Sequence, residues 1–169
     1  MARVLGIDPG LRFTGWGIID YDGPSLRYVA SGVISTAGED QTPLRLKLLH
    51  HGLAELIALY KPAEAAVEET YFNSNGTASL KLGYARGIAL LAPALADIPV
   101  AEYPAKTVKK AVSGSGSADK RQVGLMVARL MPAALTKRAD AADALAIAIC
   151  HAYHRTSLQA WNRSLAAAQ

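Results

Sequence analysis

The sequence predicts an α/β domain with a mixed five-stranded sheet and helices on both of its faces. Three apolar segments joined by short turns open the chain, and two more short apolar segments then alternate with stretches of helical periodicity. The second half is also rich in alanine, which favours helices. With 169 residues, 51% of them hydrophobic, the chain is long enough for one domain with a sizeable core.

The first three apolar segments predict strands that pair as an antiparallel meander. They span residues 3–8, 13–21 and 26–35. The turns between them contain Pro9-Gly10 and Asp22-Gly23-Pro24. Glycine and proline favour tight turns, and connections this short join antiparallel strands.

The remainder of the chain predicts alternating helices and strands. Leucines at helical spacing predict a helix over 42–60, which ends at Lys61-Pro62. The other predicted strands are 65–69 and 99–103, and the other predicted helices are 77–96, 105–112, 118–130 and 140–154. Strands joined by helices are usually parallel, so the sheet is mixed. We expect a domain over residues 1–155 and a flexible C-terminal tail over 156–169.

The composition excludes several classes of protein. The single cysteine, Cys150, excludes an internal disulfide framework and is typical of a reducing compartment. The apolar run at the N-terminus is interrupted by Asp8, so no secretory signal is visible. No segment approaches the ~20 apolar residues that cross a bilayer. We therefore expect a cytoplasmic protein that does not associate with membranes.

Positive charge is concentrated in one part of the chain. Between Tyr103 and Arg138, eight lysines and arginines stand against Asp119 alone, a net charge of +7. The whole chain carries +4, so the rest carries −3. A basic stretch beside acidic residues is typical of a protein that binds a phosphodiester. The alternative is a solvated helix face with ordinary lysines.

Four carboxylates stand in apolar surroundings. Asp8 and Glu68 each end a predicted strand, whereas Asp140 and Asp143 lie three residues apart at the start of the last predicted helix. Acids in such settings are costly unless they are paired or bound to a cation. The spacing of three puts Asp140 and Asp143 on one helix face, near the positive end of the helix dipole. We therefore predict one shared site for divalent cations, which prefer oxygen ligands.

Such a site suits hydrolysis of a phosphodiester. Two ions about 4 Å apart can share Asp8 as a bridging ligand. One ion lowers the pKa of an attacking water, and the other stabilises the leaving 3′ oxygen.

Several motifs resemble the RuvC family of Holliday-junction resolvases. The chain opens with Leu-Gly-Ile-Asp8-Pro-Gly followed by Thr14-Gly-Trp-Gly, and Ala-Val-Glu68 precedes Ser-Leu-Lys81-Leu-Gly-Tyr-Ala-Arg86-Gly. Gly-Ser-Gly-Ser-Ala-Asp-Lys120 and Ala-Asp140-Ala-Ala-Asp143-Ala-Leu-Ala-Ile-Ala-Ile follow in order. The likeness covers about residues 3–155. It implies the ribonuclease-H-like fold, with which the predicted order of elements also agrees.

The resemblance implies a homodimer that nicks four-way DNA junctions symmetrically and leaves 5′-phosphate and 3′-hydroxyl ends. It implies Mg²⁺ or Mn²⁺, two ions per active site, and work alongside the RuvA–RuvB branch-migration complex. By position, Asp8, Glu68, Asp140 and Asp143 match the four catalytic acids of the family. Glu69, beside Glu68, is expected on the opposite face of its strand because side chains alternate.

Candidate DNA contacts also follow from the resemblance. Lys109 and Lys120 match basic positions near the family's active site, where a cation stabilises the scissile phosphate. Tyr71 takes the place of the family's loop aromatic, which stacks on a base or enters the opened junction. The further candidates are Phe72, Asn73, Asn75, Lys81, Arg86, Lys106 and Lys110. The alternative for Lys81, Arg86, Lys106 and Lys110 is that they are ordinary charged residues of the protein surface.

Two questions stay open at the level of sequence. Ser79, Gly83 and Gly87 put small residues on one helical face, which suits either a dimer interface or close packing on the chain's own sheet; the resemblance favours the dimer. Other functions are also conceivable. An actin-like or sugar-kinase ATPase needs two such domains, for which the chain is too short. A DNA-binding module without catalytic activity (a silent DNA-binding module) is a further alternative. The four acids argue against it, because they repel phosphate and would bring such a module no benefit.

Overall fold

The computed structural model describes residues 1–69, 76–134 and 138–167. The strands are β1 (Ala2–Asp8), β2 (Phe13–Asp22), β3 (Ser25–Ser35), β4 (Glu64–Glu69) and β5 (Val100–Pro104). The helices are α1 (Thr42–Tyr60), α2 (Gly76–Leu95), α3 (Ala105–Ser113), α4 (Lys120–Leu130) and α5 (Ala139–Ala167). This order agrees with the prediction.

The sheet is mixed, as predicted. Its strand order is β3-β2-β1-β4-β5. The pairs β1–β2 and β2–β3 are antiparallel, whereas β1–β4 and β4–β5 are parallel. The two parallel neighbours β1 and β4 therefore end at the same edge of the sheet, and each carries one of the predicted acids at or next to its last residue.

Helices cover both faces of the sheet with separate apolar cores. Leu49 and Leu53 of α1 pack with Ala85 and Ala89 of α2 over one face. On the other face α3, α4 and the first part of α5 form the second core. None of the helices in the described ranges is both long and apolar enough to span a membrane.

Glycines let α5 lie directly on β1 and β2. A Cβ atom on Gly17 would stand 2.8 Å from the side chain of Leu145. A Cβ on Gly6 or Gly15 would collide with the backbone of α5 at Ala144 or Asp140. The absence of side chains at these three positions sets the depth of α5, and so the distance of its first turn from the strand ends.

The last helix is longer than predicted. We expected it to end near His154, but α5 continues to Ala167. The predicted end was wrong because the segment after His154 contains alanine, leucine, glutamine and arginine, which are good helix formers, and neither proline nor glycine. The domain boundary at residue 155 is therefore not marked by a break in secondary structure.

Candidate active site

Asp8 and Glu68 come together at the edge where β1 and β4 end. Ile7 pairs with Val67 in the parallel register of these strands, so the acids that follow them are neighbours. Both side chains line the same cavity of about 200 Å³. Glu68, and not Glu69, lines this cavity, as the alternation of side chains along a strand predicts.

The helices on this face complete the cavity. Asp143 enters from α5, Lys109 from α3 and Lys120 from the start of α4. The apolar walls are Ala105, Val108, Val123 and Ala146. The cavity therefore gathers three of the four predicted acids and the two lysines that the resemblance placed near the active site.

The carboxylates in this cavity disfavour one another's charge. Burial, and to a smaller extent the nearby charges of Asp143 and Glu68, together raise the pKa of Asp8 to about 7. Burial also raises the pKa of Glu68, with Asp143 adding to the effect and Lys120 opposing it. One carboxylate in this group is therefore readily protonated near neutral pH in the absence of a cation.

Lys120 is the main cation of the cavity. Its Nζ lies 3.2 Å from Oδ2 of Asp143, which raises the pKa of the lysine. The side chain is 82% exposed, so it can reach outward from the site. Its backbone is held by a capping box: Asp119 accepts from the amide of Gln122, whose side chain accepts from the amide of Asp119.

Asp140 stands at the border of the site. It does not line the cavity, although its charge still raises the pKa of Asp8. Its Oδ2 accepts from Nη2 of Arg138 at 3.2 Å. No sequence pattern singles out Arg138 individually; its position two residues before Asp140, inside the basic stretch, is the available signal.

The donor set fits hard divalent cations. Carboxylate oxygens are the ligands that Mg²⁺ and Mn²⁺ prefer, and a cation would offset the repulsion that raises the pKa of Asp8. Within the described ranges, however, no three His, Cys, Asp or Glu side chains are arranged to hold one ion as they stand. Lys120 forms an ion pair with Asp143, and Arg138 forms one with Asp140. These two carboxylates must therefore leave their basic partners before they can bind a metal ion.

The other predicted basic residues lie away from this cavity. Lys106 and Lys110 line a separate groove of about 930 Å³ between α3 and α5, together with Tyr153 and His154. Arg86 forms an ion pair with Glu102, on the face of the sheet that α2 covers.

Lys81 is exposed near the start of α2. The other candidates for DNA contact, Tyr71, Phe72, Asn73 and Asn75, lie outside the described residues.

A second polar cluster lies at the other end of β4. Glu64 contacts Nε2 of His151 at 2.6 Å, and Nδ1 of His151 lies 2.9 Å from the hydroxyl of Tyr103. Arg155 donates to the other carboxylate oxygen of Glu64. His151 is buried within this cluster.

Comparisons with known proteins identify the family of this chain. The sequence profile of the family described as crossover junction endodeoxyribonuclease RuvC matches residues 4–151. A protein of that name from Granulibacter bethesdensis is 64% identical over 96% of this chain and 91% of its own length. Another from Gluconobacter oxydans is 65% identical over 93% and 94%.

A solved structure of Thermus thermophilus RuvC in complex with a Holliday junction substrate superposes with a TM-score of 0.83. It is 33% identical, and the match covers 93% of this chain and 96% of that one. The family match, the coverage and the shared fold lead to one assignment: this chain belongs to the RuvC family of crossover junction endodeoxyribonucleases.

Proposed function

We propose that this chain is an endonuclease that resolves four-way (Holliday) DNA junctions by paired, symmetric nicks, in homologous recombination and DNA repair. The observation that carries the proposal is the cavity in which Asp8, Glu68 and Asp143 meet Lys109 and Lys120. Acids at the floor and lysines at the rim form a site for a phosphodiester. We infer the four-way junction as the substrate from membership of the RuvC family.

Nucleases of the RuvC family are metal-dependent. We propose that Asp8, Glu68, Asp140 and Asp143 hold two Mg²⁺ or Mn²⁺ ions in each active site. When bound, such ions supply a water of lowered pKa and charge stabilisation at the leaving 3′ oxygen, which gives 5′-phosphate and 3′-hydroxyl ends. To hold an ion, Asp140 would have to leave Arg138, and Asp143 would have to leave Lys120.

The lysines of the site act on the phosphate. If Asp143 bound a cation, the Nζ of Lys120 would be available for a non-bridging phosphate oxygen, and Lys109 of α3 would offer a second positive charge in the same cavity. Both charges stabilise the negative charge that develops in the transition state. Apolar walls, including Val108 and Val123, lower the local dielectric and strengthen these interactions.

We propose a homodimer built on the exposed face of α2. A Cβ added to Gly83 or Gly87 would meet nothing within 4 Å, so these small residues do not pack on the chain's own sheet. Leu80, Tyr84 and Leu91, large apolar residues of the same helix, are 55%, 40% and 47% exposed. A two-fold dimer accounts for two nicks in a nearly symmetric junction.

The remaining proposals rest on the family resemblance. Tyr71 and Phe72, with Asn73 and Asn75, would contact the unpaired centre of the junction, because they follow Glu68 closely in the sequence. Lys81, Arg86, Lys106 and Lys110 would contact the DNA backbone outside the acid cavity.

We also propose that the nuclease unit is residues 1–155 and that the residues after it, which continue α5 to Ala167, form a C-terminal tail outside this unit. The protein would act in the cytoplasm together with a RuvA–RuvB complex.

The test is cleavage of a labelled, mobile four-way junction with Mg²⁺ or Mn²⁺. Wild-type protein should give paired symmetric nicks, and Asp8→Asn should bind the junction without nicking it. Asp97→Asn is the matched control, because Asp97 is exposed and has a φ of 56°, which asparagine tolerates. Junction binding by wild type without nicking, in either metal and on several junction sequences, would instead support the silent DNA-binding module.

A further inference from the structure

Arg12, Phe13 and Arg138 form a compact group next to Asp140, which we call the arginine clamp. The guanidinium carbon of Arg138 lies 4.3 Å from the centroid of the Phe13 ring, and that of Arg12 lies 5.4 Å from it. Both distances are within the ~6 Å over which a cation is attracted to an aromatic ring. Two segments that are distant in sequence thus bring two like charges to one ring.

The clamp lies on the opposite side of the acids from the lysines. Phe13 opens β2, which neighbours β1 on the side away from β4. Lys109 and Lys120 belong to α3 and α4, and α3 packs against β4 and β5. Positive charge therefore flanks the carboxylates on both sides. If the scissile phosphate of a DNA strand lay at the acids, the strand would meet basic side chains on both sides of that phosphate.

The charge of the clamp is only partly balanced within the described chain. Arg138 pairs with Asp140 through Nη2, and its side chain is 49% exposed. Arg12 is exposed, and in the described ranges no carboxylate lies within ion-pair distance of it. The proposed function takes Asp140 away to a cation, which would leave the clamp with two uncompensated positive charges at the edge of the site.

We propose that the arginine clamp binds a backbone phosphate adjacent to the scissile one, and that Arg138 exchanges Asp140 for that phosphate. This inference rests on the proposed function. A guanidinium presents a planar fork of donors that matches a phosphate. Stacking on Phe13 restricts the fork before DNA binds, which reduces the ordering cost of the contact.

The test measures junction binding as a function of salt, in the presence of Mg²⁺, with Asp8→Asn as the parent so that the DNA stays intact. Adding Arg138→Ala should reduce the slope of log K against log salt by about 1. It should also weaken binding at low salt by about tenfold. Arg12→Ala should act in the same direction. Phe13→Leu, which keeps apolar volume but removes the ring, should weaken binding by about threefold.

Arg129→Ala is the matched control. It removes the same charge from the last turn of α4, whereas the cavity lies at the first turn of that helix. This variant should leave the salt slope unchanged. Thermal unfolding of each variant should show that the fold is retained, because the clamp side chains are exposed or half-buried.

Two outcomes would overturn the clamp while the proposed function stands. In one, Arg138→Ala and Arg12→Ala bind with the same slope and affinity as Arg129→Ala. In the other, Arg138→Ala in the otherwise wild-type protein loses cleavage with binding unchanged, which would make Arg138 a positioning residue for Asp140. A parent protein that fails to prefer a junction over plain duplex would count against the proposed function itself.

Discussion

Replacing Asp8 by asparagine is expected to stabilise the metal-free protein at alkaline pH. The carboxylate is buried and lies near the charges of Asp143 and Glu68. Burial, with a smaller effect of these charges, raises its folded-state pKa from 3.8 to about 7. A raised carboxylate pKa means that ionisation opposes folding. Asparagine keeps the shape of the side chain and removes the charge, so Asp8→Asn should gain stability while it loses cleavage.

The size of the gain follows from the pKa difference. Because the folded pKa lies above the unfolded one, the cost of ionisation is absent below pH 3.8, grows between pH 3.8 and about 7, and is constant above that. At pH 8 the full shift corresponds to at most about 4 kcal/mol. Movement of the side chain and entry of water lower this figure, and we expect a gain of about 2 kcal/mol, or roughly 4–8 °C in melting temperature.

The assay is thermal and urea unfolding of wild type and Asp8→Asn in EDTA at pH 8 and at pH 5. The advantage of the variant should be larger at pH 8 than at pH 5. Adding Mg²⁺ should stabilise wild type more than the variant, because ligand binding to the native state adds stability. An Asp8→Asn protein that is no more stable than wild type at pH 8, or whose advantage is independent of pH, would refute the electrostatic reasoning.

Three further outcomes are expected. Gly17→Ala should cost about 1–3 kcal/mol in urea unfolding, because its Cβ would stand 2.8 Å from a leucine side chain of α5, whereas Gly124→Ala meets nothing within 4 Å and should be neutral or stabilising. Asp20 has a pKa lowered mainly by its hydrogen bond from Arg3. Its stabilising contribution is present above the unfolded pKa and is lost as the pH falls through the folded one, so Asp20→Asn should be less stable at pH 7 and less sensitive to acid. Leu91→Glu should convert the proposed dimer to monomers in sedimentation analysis, and a wild-type protein that is already monomeric would contradict the interface on α2.

The sequence was sufficient for the order of elements and for the location of the principal acids. Asp8 and Glu68 each follow a short apolar run, and a run of this length bounded by turn residues is typical of a buried strand. Turn residues between the first strands dictated antiparallel pairing, and helical spacings dictated the crossovers. These signals are local, so they can be recognised without knowledge of the tertiary contacts.

The basic residues could not be sorted in the same way. Lys106, Lys109 and Lys110 lie within one turn and a half of α3, yet Lys109 lines the acid cavity and the other two line a different groove. The rotation of α3 about its axis decides this, and the apolar contacts of Val108 and Val112 set that rotation. Arg86 is likewise engaged by Glu102, a partner from another element that no local pattern indicates.

What the sequence alone determined about this protein is its fold class, its family likeness and the identity of its carboxylates, because periodicity, turn chemistry and motif spacing are properties of short segments. The tertiary structure decided how those groups meet. Contacts between α5 and glycines of β1 and β2 place Asp143 inside the cavity and leave Asp140 at its border with Arg138. Phe13 and Arg138 are far apart in the chain, and only the packing of α5 against β2 brings the ring beneath the guanidinium.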